Sequence, residues 1–344
     1  MLEIDGSQKS GSGTILRLSI ALAGLLGEQL HIYNVRKKRS QPGLRPQHLE
    51  SVVTAAKICS AEVKGAEVGS DELWFDPGEI EGGEINAEIG TAGSIPMLIM
   101  TILPLCAYAK REVKLHIFKG GTDVSHSPTI NYLKYVFLPT LERMGLNSSL
   151  MVKSYGYYPK GMGEVILEVL PCKKLTPLNL EKFGKLREID GISVCTFLAD
   201  RRVAERQAEA AIKYLMAYGY RPQVQIVNDF SNPVQKGSSI VLWAATDTGV
   251  LLGGDAIGEI DKRSEVVGRE AAENLVEEIV SEATVDIHLA DMLVPYVALA
   301  EGSSTYLARL MTDHLETNIW LVKEILGIEI HVSKRDGCYQ ITKK

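Results

Sequence analysis

Residues 129–169 read TINYLKYVFLPTLERMGLNSSLMVKSYGYYPKGMGEVILEV. Thr129–Met144 carries its apolar residues at helical spacing, and Gly145 supplies a stop. From Ser149 to Val169 the pattern turns to alternation, interrupted at Gly161-Met162-Gly163, which reads as strand–turn–strand. Working outward, a helical run at Ser94–Tyr108 precedes this stretch. The same rhythm returns twice. Helical runs Gly13–Gly27 and Leu44–Cys59 lead into alternation over Ala61–Phe75, and runs Leu289–Leu299 and Glu316–Leu326 lead into Ile328–Ile341, with its turn at Asp336-Gly337. The pattern predicts an α+β fold of three repeated units, each of two helices on a small β-sheet. The units share a pattern of elements and too little identity to be a repeat in sequence.

The rhythm breaks between about Phe183 and Ser281. There the order reads strand (Ile192–Leu198), helix (Arg201–Ala217), strands (Val224–Val227, Ser239–Ala245, Thr248–Gly253) and helix (Ser264–Val280). A stretch of this size is long enough to fold alone. The expected organisation is a main domain over 1–182 and 279–344, with a smaller inserted α/β domain over 183–278 between units two and three.

Composition narrows the function classes. The chain has 344 residues, 45% hydrophobic and 23% charged, with a net charge of −6, which argues against a general DNA-coating protein. Aromatics at 6% argue against many bases stacked on exposed rings. Five cysteines with no CxxC pair read as thiols in a reducing compartment rather than a zinc site. The first ten residues hold no apolar signal region, and the longest apolar run, Ile95–Ala109, is too short for a membrane span and carries Pro96 and Pro104. A soluble, cytoplasmic protein without membrane partners is expected.

Charge is unevenly placed. Asn34–His48 holds Arg36, Lys37, Lys38, Arg39 and Arg45 with no acidic residue, while Asp71–Glu88 holds seven acidic residues and no basic one. The acidic run lacks calcium-loop spacing and reads as a solvated edge. The basic run reads either as a solvated face or as a phosphate-binding loop, with Pro42-Gly43 at its turn and Arg45 opening a helix. The opening Asp5-Gly6-Ser7-Gln8-Lys9-Ser10-Gly11-Ser12-Gly13-Thr14 runs into a helix bearing Arg17. It fits neither a P-loop nor a dinucleotide fingerprint, leaving a plain turn or an anion-binding helix start. No His pair has metal-ligand spacing, and Ser125 and Ser127 lack a nucleophile-elbow context. His314 sits just before the last helix, as a capping neighbour or as a nucleophile, since neutral imidazole is abundant at pH 7.

Seven short motifs in order make the chain resemble the RNA 3′-terminal phosphate cyclase family over nearly its full length. They are Asp5-Gly6-Ser7-Gln8 with Ile15-Leu16-Arg17; Pro42–Leu49; Gly90-Thr91-Ala92-Gly93-Ser94; Gly120-Gly121-Thr122-Asp123; Tyr158-Pro159-Lys160-Gly161-Met162-Gly163; Leu289-Ala290-Asp291; and His314-Leu315 with Thr317-Asn318-Ile319. The resemblance implies three repeated α+β units with one insert. It also implies an ATP-dependent ligase that converts an RNA 3′-phosphate end into a 2′,3′-cyclic phosphate, with a divalent metal, Mg or Mn, and RNA ends rather than DNA as partner.

On that resemblance His314 is the nucleophile that carries AMP. Met100, Pro128, His288, Leu289, Ala290, Asp291 and Met292 match nucleotide-contacting positions. Arg17, Arg36, Arg39 and Gln47 match positions around phosphates, where the planar arginine fork suits the ligand. Three positions depart from the family: Ser10 stands where bacterial members carry Glu, leaving the metal ligands unknown; His288 replaces a stacking Tyr, and Met100 a Gln. A reading of another class is a catalytically inactive cyclase-like RNA-binding protein of ribosome assembly; such relatives lack the histidine retained here as His314. An enolpyruvyl transferase, with a similarly repeated architecture, needs two three-unit halves, which this length cannot supply.

Overall fold

The computed structural model describes residues 1–344 as a mixed α+β fold in which helices pack on four separate four-stranded sheets. In the first sheet, strand Leu2–Asp5 runs parallel to Leu30–Tyr33, which pairs antiparallel with Leu73–Asp76, and that strand with Glu62–Lys64. The second sheet orders Gly83–Glu88, Val113–Gly120, Gly163–Val169 and Ser148–Ser154 in the same way, one parallel pair followed by two antiparallel pairs. A third sheet does so again with Asn179–Leu180, Ser304–Ala308, Cys338–Lys343 and Ile330–Arg335. The strand–turn–strand segments expected from alternation are the antiparallel halves of these sheets. Their leading strands, Leu2–Asp5, Gly83–Glu88 and Asn179–Leu180, went unread in the sequence.

The fourth sheet differs. It orders Gln223–Asp229, Leu186–Thr196, Gly237–Thr246 and Leu251–Ile257, with helices Val203–Ala217 and Ser264–Ser281 packed on it. The chain enters it after Asn179–Leu180, so this segment falls between the first strand of the third sheet and the strands that complete it.

Helix starts explain most boundaries. Ser12, Ser94, Thr129, Asp286 and Thr312 each accept a backbone N–H of the following turn through a side-chain oxygen, so helices begin at Gly13, Ile95, Ile130, Ile287 and Asp313. His314 therefore lies in the first turn of helix Asp313–Leu326, not before it: Thr312 caps three residues earlier than the apolar periodicity at Glu316 indicates. The run expected at Leu289–Leu299 is two short helices, Ile287–Met292 and Val294–Leu299, broken ahead of Pro295. In 130–142, Leu138 N donates to Leu133 O, a widened turn just ahead of Pro139.

One apolar core joins these layers, with Leu16, Ile20, Leu98, Ile102, Leu133, Leu252, Leu289 and Leu321 in a single buried cluster. All five cysteines are free thiols. No helix is long and apolar enough to cross a membrane.

Candidate active site

The starts of helices Gly13–Leu26 and Asp313–Leu326 meet although they lie 300 residues apart in the chain. Ser10 N donates to Thr317 Oγ1 at 3.2 Å, Lys9 Nζ pairs with Glu316 at 2.8 Å, and Thr14 Oγ1 lies 3.2 Å from His314 Nδ1. Arg17, one turn along the first helix, donates to the same Thr14 oxygen at 3.4 Å. Ser10 shares its hydroxyl with Ser12 at 2.9 Å.

His314 lines a cavity of about 450 Å³ together with Met100, Pro128, Asp255, His288, Asp291 and Met292. Beneath it lies a chamber of about 80 Å³ bounded by Thr14, Arg17, Met100, Asp291, Asn318 and His314. Of the nucleotide-contacting positions expected from the sequence, Met100, Pro128, His288, Asp291 and Met292 thus share one cavity with the histidine. Leu289 and Ala290 do not: their side chains are buried in the core beneath that helix turn.

The phosphate positions divide. Arg17 borders the chamber, and Arg39 is exposed. Arg36 spends Nη1 on the carbonyls of Gln41 and Gly43, at 2.7 and 2.8 Å, so it shapes the basic loop from within. Lys38 likewise donates to Lys9 O at 2.7 Å. Gln47 Oε1 accepts Ser94 N at 2.8 Å, which ties the Pro42–Leu49 motif to the Gly90–Ser94 motif.

Sequence reasoning passed over two residues here. His48 is buried, and its Nδ1 accepts Arg45 N at 3.3 Å, which puts its proton on Nε2. That nitrogen faces Gly13 beside Arg17; a Cβ at Gly13 would collide with the ring and meet Arg17 Nη1 at 2.8 Å. Burial, helped by Arg17, Arg36 and Arg45, pushes the His48 imidazole down to about 2, so it acts as a neutral N–H donor. The sequence signal was a polar ring three residues after Arg45 in a helix begun by Pro46. The second is Asp286, fully buried and accepting from Tyr132 OH at 2.6 Å, Gly253 N at 2.8 Å, His288 N at 3.0 Å and Leu289 N at 2.9 Å. It fixes the His288 turn against helix 130–142 and the fourth sheet.

Electrostatics separate the two histidines. His314 is held below its ordinary value by partial withdrawal from water and then by Arg17 and Arg39, so it is neutral at pH 7 with a lone pair available. His288 is raised: burial works against its charge, but Asp255, Asp286 and Asp291 outweigh it. Its Nε2 stands 3.9 Å from Asp255 Oδ1, and its ring meets Tyr132 edge-on at 5.7 Å. Burial pushes Asp291 up to about 7, with His288 opposing and Asp286 reinforcing the rise. Withdrawal from water lowers Arg17 to about 10, which leaves it a cation.

A pocket of this kind, a neutral nucleophilic nitrogen between a ring-and-proline slot and a cation cluster, suits transfer of a nucleotidyl group. A family profile described as RNA 3′-terminal phosphate cyclase matches residues 8–332. The chain belongs to the RNA 3′-terminal phosphate cyclase family. It is 42% identical to the RNA 3′-terminal phosphate cyclase of Pyrobaculum aerophilum over 342 residues, covering 99% of this chain and 97% of the relative. The Methanosarcina barkeri protein of the same name is 42% identical over 344 residues, covering 99% of each chain. That of Pyrococcus furiosus is 43% identical over 327 residues, covering 95% and 94%.

Proposed function

We propose that this chain is an ATP-dependent RNA 3′-terminal phosphate cyclase in which His314 carries AMP between ATP and the RNA end. A terminal phosphate is an anionic electrophile with no acceptable leaving group. Two steps supply one and a third uses it. The lone pair of His314 Nε2 attacks the α-phosphorus of ATP, the bond to the pyrophosphate oxygen breaks, and a histidine–AMP phosphoramidate forms. An oxygen of the RNA 3′-phosphate attacks that phosphorus, the N–P bond breaks, and a mixed anhydride leaves His314 neutral again. The neighbouring 2′-OH attacks the RNA phosphorus, losing its proton as AMP departs, and the ring closes. Proximity supplies much of the last barrier reduction, because the hydroxyl is covalently held beside phosphorus.

The observation that carries this reading is the 3.2 Å contact between Thr14 Oγ1 and His314 Nδ1. On this reading the imidazole carries its proton on Nδ1, the Thr14 oxygen accepts it while also accepting from Arg17, and Nε2 is left as the nucleophile. On this reading Pro128 and His288, which line one cavity, take adenine between them, while Arg17 and Arg39 supply donors for phosphate oxygens. The residues present do not by themselves make a metal site: no three His, Cys, Asp or Glu side chains converge, and Asp291 offers a single carboxylate that burial pushes up to about 7.

The three like-ordered sheets are read as copies of one unit, with 183–278 as an inserted domain. The free thiols support a reducing, cytoplasmic setting.

Incubation with ATP labelled at the α-phosphate tests the mechanism. The expected result is an acid-labile, alkali-stable protein adduct that chases into a cyclic phosphate end when 3′-phosphate RNA is added. An adduct that survives His314→Ala overturns the assignment.

A further inference from the structure

Of the seven motifs, Gly120–Asp123 and Tyr158–Gly163 reach a second cavity beside the nucleotide cavity. Both border this cavity of about 920 Å³, which lies between the 123–125 and 157–159 loops on one side and residues 198–207, 235–238 and 257–267 of the fourth-sheet region on the other. It adjoins the nucleotide cavity along a shared wall of Val124, Ser125, Ile257, Glu259 and Lys262. Its volume is at the top of the range of about 300–1,000 Å³ that single small molecules occupy.

Its lining is chemically uneven. Lys262 is neutralised by Glu259 and Glu270, and Arg206 by Glu265. Arg201, Lys236 and Arg263 are exposed cations on the same wall and have no ion-pair partner. Tyr158 projects from the opposite wall with 76% of its surface exposed. Two long helices also begin at this cavity, Val203–Ala217 and Ser264–Ser281. Each has an arginine at its N-cap whose side chain makes no capping hydrogen bond, unlike the Ser-, Thr- and Asp-capped helices elsewhere. Uncapped N–H groups, unpaired cations and an exposed phenol ring make a surface for a chain of phosphates bearing flat bases.

We propose that this cavity is the track that holds the RNA strand upstream of its 3′ end, with Arg201, Lys236 and Arg263 on the phosphodiesters and Tyr158 stacked on a base. The proposal rests on the cyclase reading. The terminal nucleotide crosses the Ser125–Lys262 lip into the catalytic cleft, and the preceding nucleotides lie in the groove. Affinity for the end alone and affinity for the strand then reside in different parts of the molecule.

Fluorescence anisotropy of oligoadenylates of 2, 4, 8 and 12 nucleotides ending in a 3′-phosphate tests this with the full chain, at several salt concentrations. Wild-type affinity is expected to rise with length and then level off when the groove is filled. The Arg201→Ala/Lys236→Ala/Arg263→Ala variant is expected to lose at least about tenfold in affinity for the 12-mer and to flatten the log–log salt slope by about 2, at about 0.7 per lost contact on single strands. Its cyclisation of the dinucleotide and its labelling by α-labelled ATP are expected to stay at wild-type levels. Tyr158→Phe should bind like wild type and Tyr158→Ala more weakly, since stacking needs the ring and not the hydroxyl.

Unchanged length dependence and salt slope in the triple variant overturn the track. So does an equal loss on the dinucleotide, which never reaches the groove. Failure of wild-type protein to take label from ATP overturns the cyclase mechanism instead, and the two failures are read from separate assays.

Discussion

Replacing Thr14 with valine removes one hydroxyl and almost nothing else. Threonine and valine are both β-branched and close in volume, and Thr14 sits in the first turn of helix Gly13–Leu26, whose cap is Ser12. The lost oxygen is the one 3.2 Å from His314 Nδ1 and 3.4 Å from Arg17 Nη2. The longer contact is weak, so the perturbation is chiefly one neutral hydrogen bond, worth about 0.5–1.5 kcal/mol net. At 1.36 kcal/mol per decade, transfer of AMP to the protein slows about 2- to 12-fold if that bond holds the imidazole in its reactive tautomer. Thr14→Ser keeps the oxygen and should return most of the rate. The assay is a quenched single-turnover measurement of AMP transfer from saturating ATP, so that the chemical step is read apart from nucleotide affinity. A valine variant at wild-type rate, or a serine variant as slow as the valine one, refutes the claim that Thr14 orients His314.

Three further outcomes follow from the same geometry. Protonation of His314 should cut AMP transfer only below the ordinary histidine value of 6.5, because the group is depressed and its neutral form attacks; Arg17→Gln removes a cation that disfavours imidazolium, so that acid limb should move to higher pH, and a limb that stays put refutes the coupling. Asp286→Ala strands Tyr132 OH, Gly253 N and two helix-start N–H groups in the core, at a cost of about 3–5 kcal/mol, and should lower the urea midpoint with an unchanged slope; a midpoint within error of wild type refutes the role of Asp286 as a joint. Gly13→Ala should stabilise a helix by about 0.5–1 kcal/mol where space allows, but here the methyl meets His48 and Arg17, so the expected result is a raised KM for 3′-phosphate ends; greater stability with an unchanged KM refutes the close approach.

Helices were legible in the sequence because each buries a stripe at regular spacing, and the antiparallel strand pairs because alternation and a local turn travel together. The leading parallel strands of the first and third sheets lack both signals. Leu2–Asp5 and Leu30–Tyr33 have four residues each, and Asn179–Leu180 has two and is defined by pairing with Ser304–Ala308, 124 residues or more away. Nothing in a two-residue segment announces a partner that distant. Pairing across such separations is decided by tertiary packing, which local pattern does not encode.

The start of the last helix shows a subtler loss. Apolar spacing begins late, so the helix was read from Glu316, yet Thr312 followed by the acidic Asp313 and Glu316 is itself a helix-start signature. That shift matters for chemistry, because it moves His314 from a loop onto a helix turn, where its direction is set by the backbone. It also explains why the opening loop had two readings in the sequence. The loop over residues 5–13 has no phosphate fingerprint, and by itself a plain turn accounts for it. Its use depends on Lys9, Ser10 and Thr14 reaching Glu316, Thr317 and His314. Those three contacts join segments some 300 residues apart, so the orientation of the proposed nucleophile is a property of the closed fold. A change that loosens the first sheet or the last helix should therefore slow AMP transfer even where no residue of the cavity is touched.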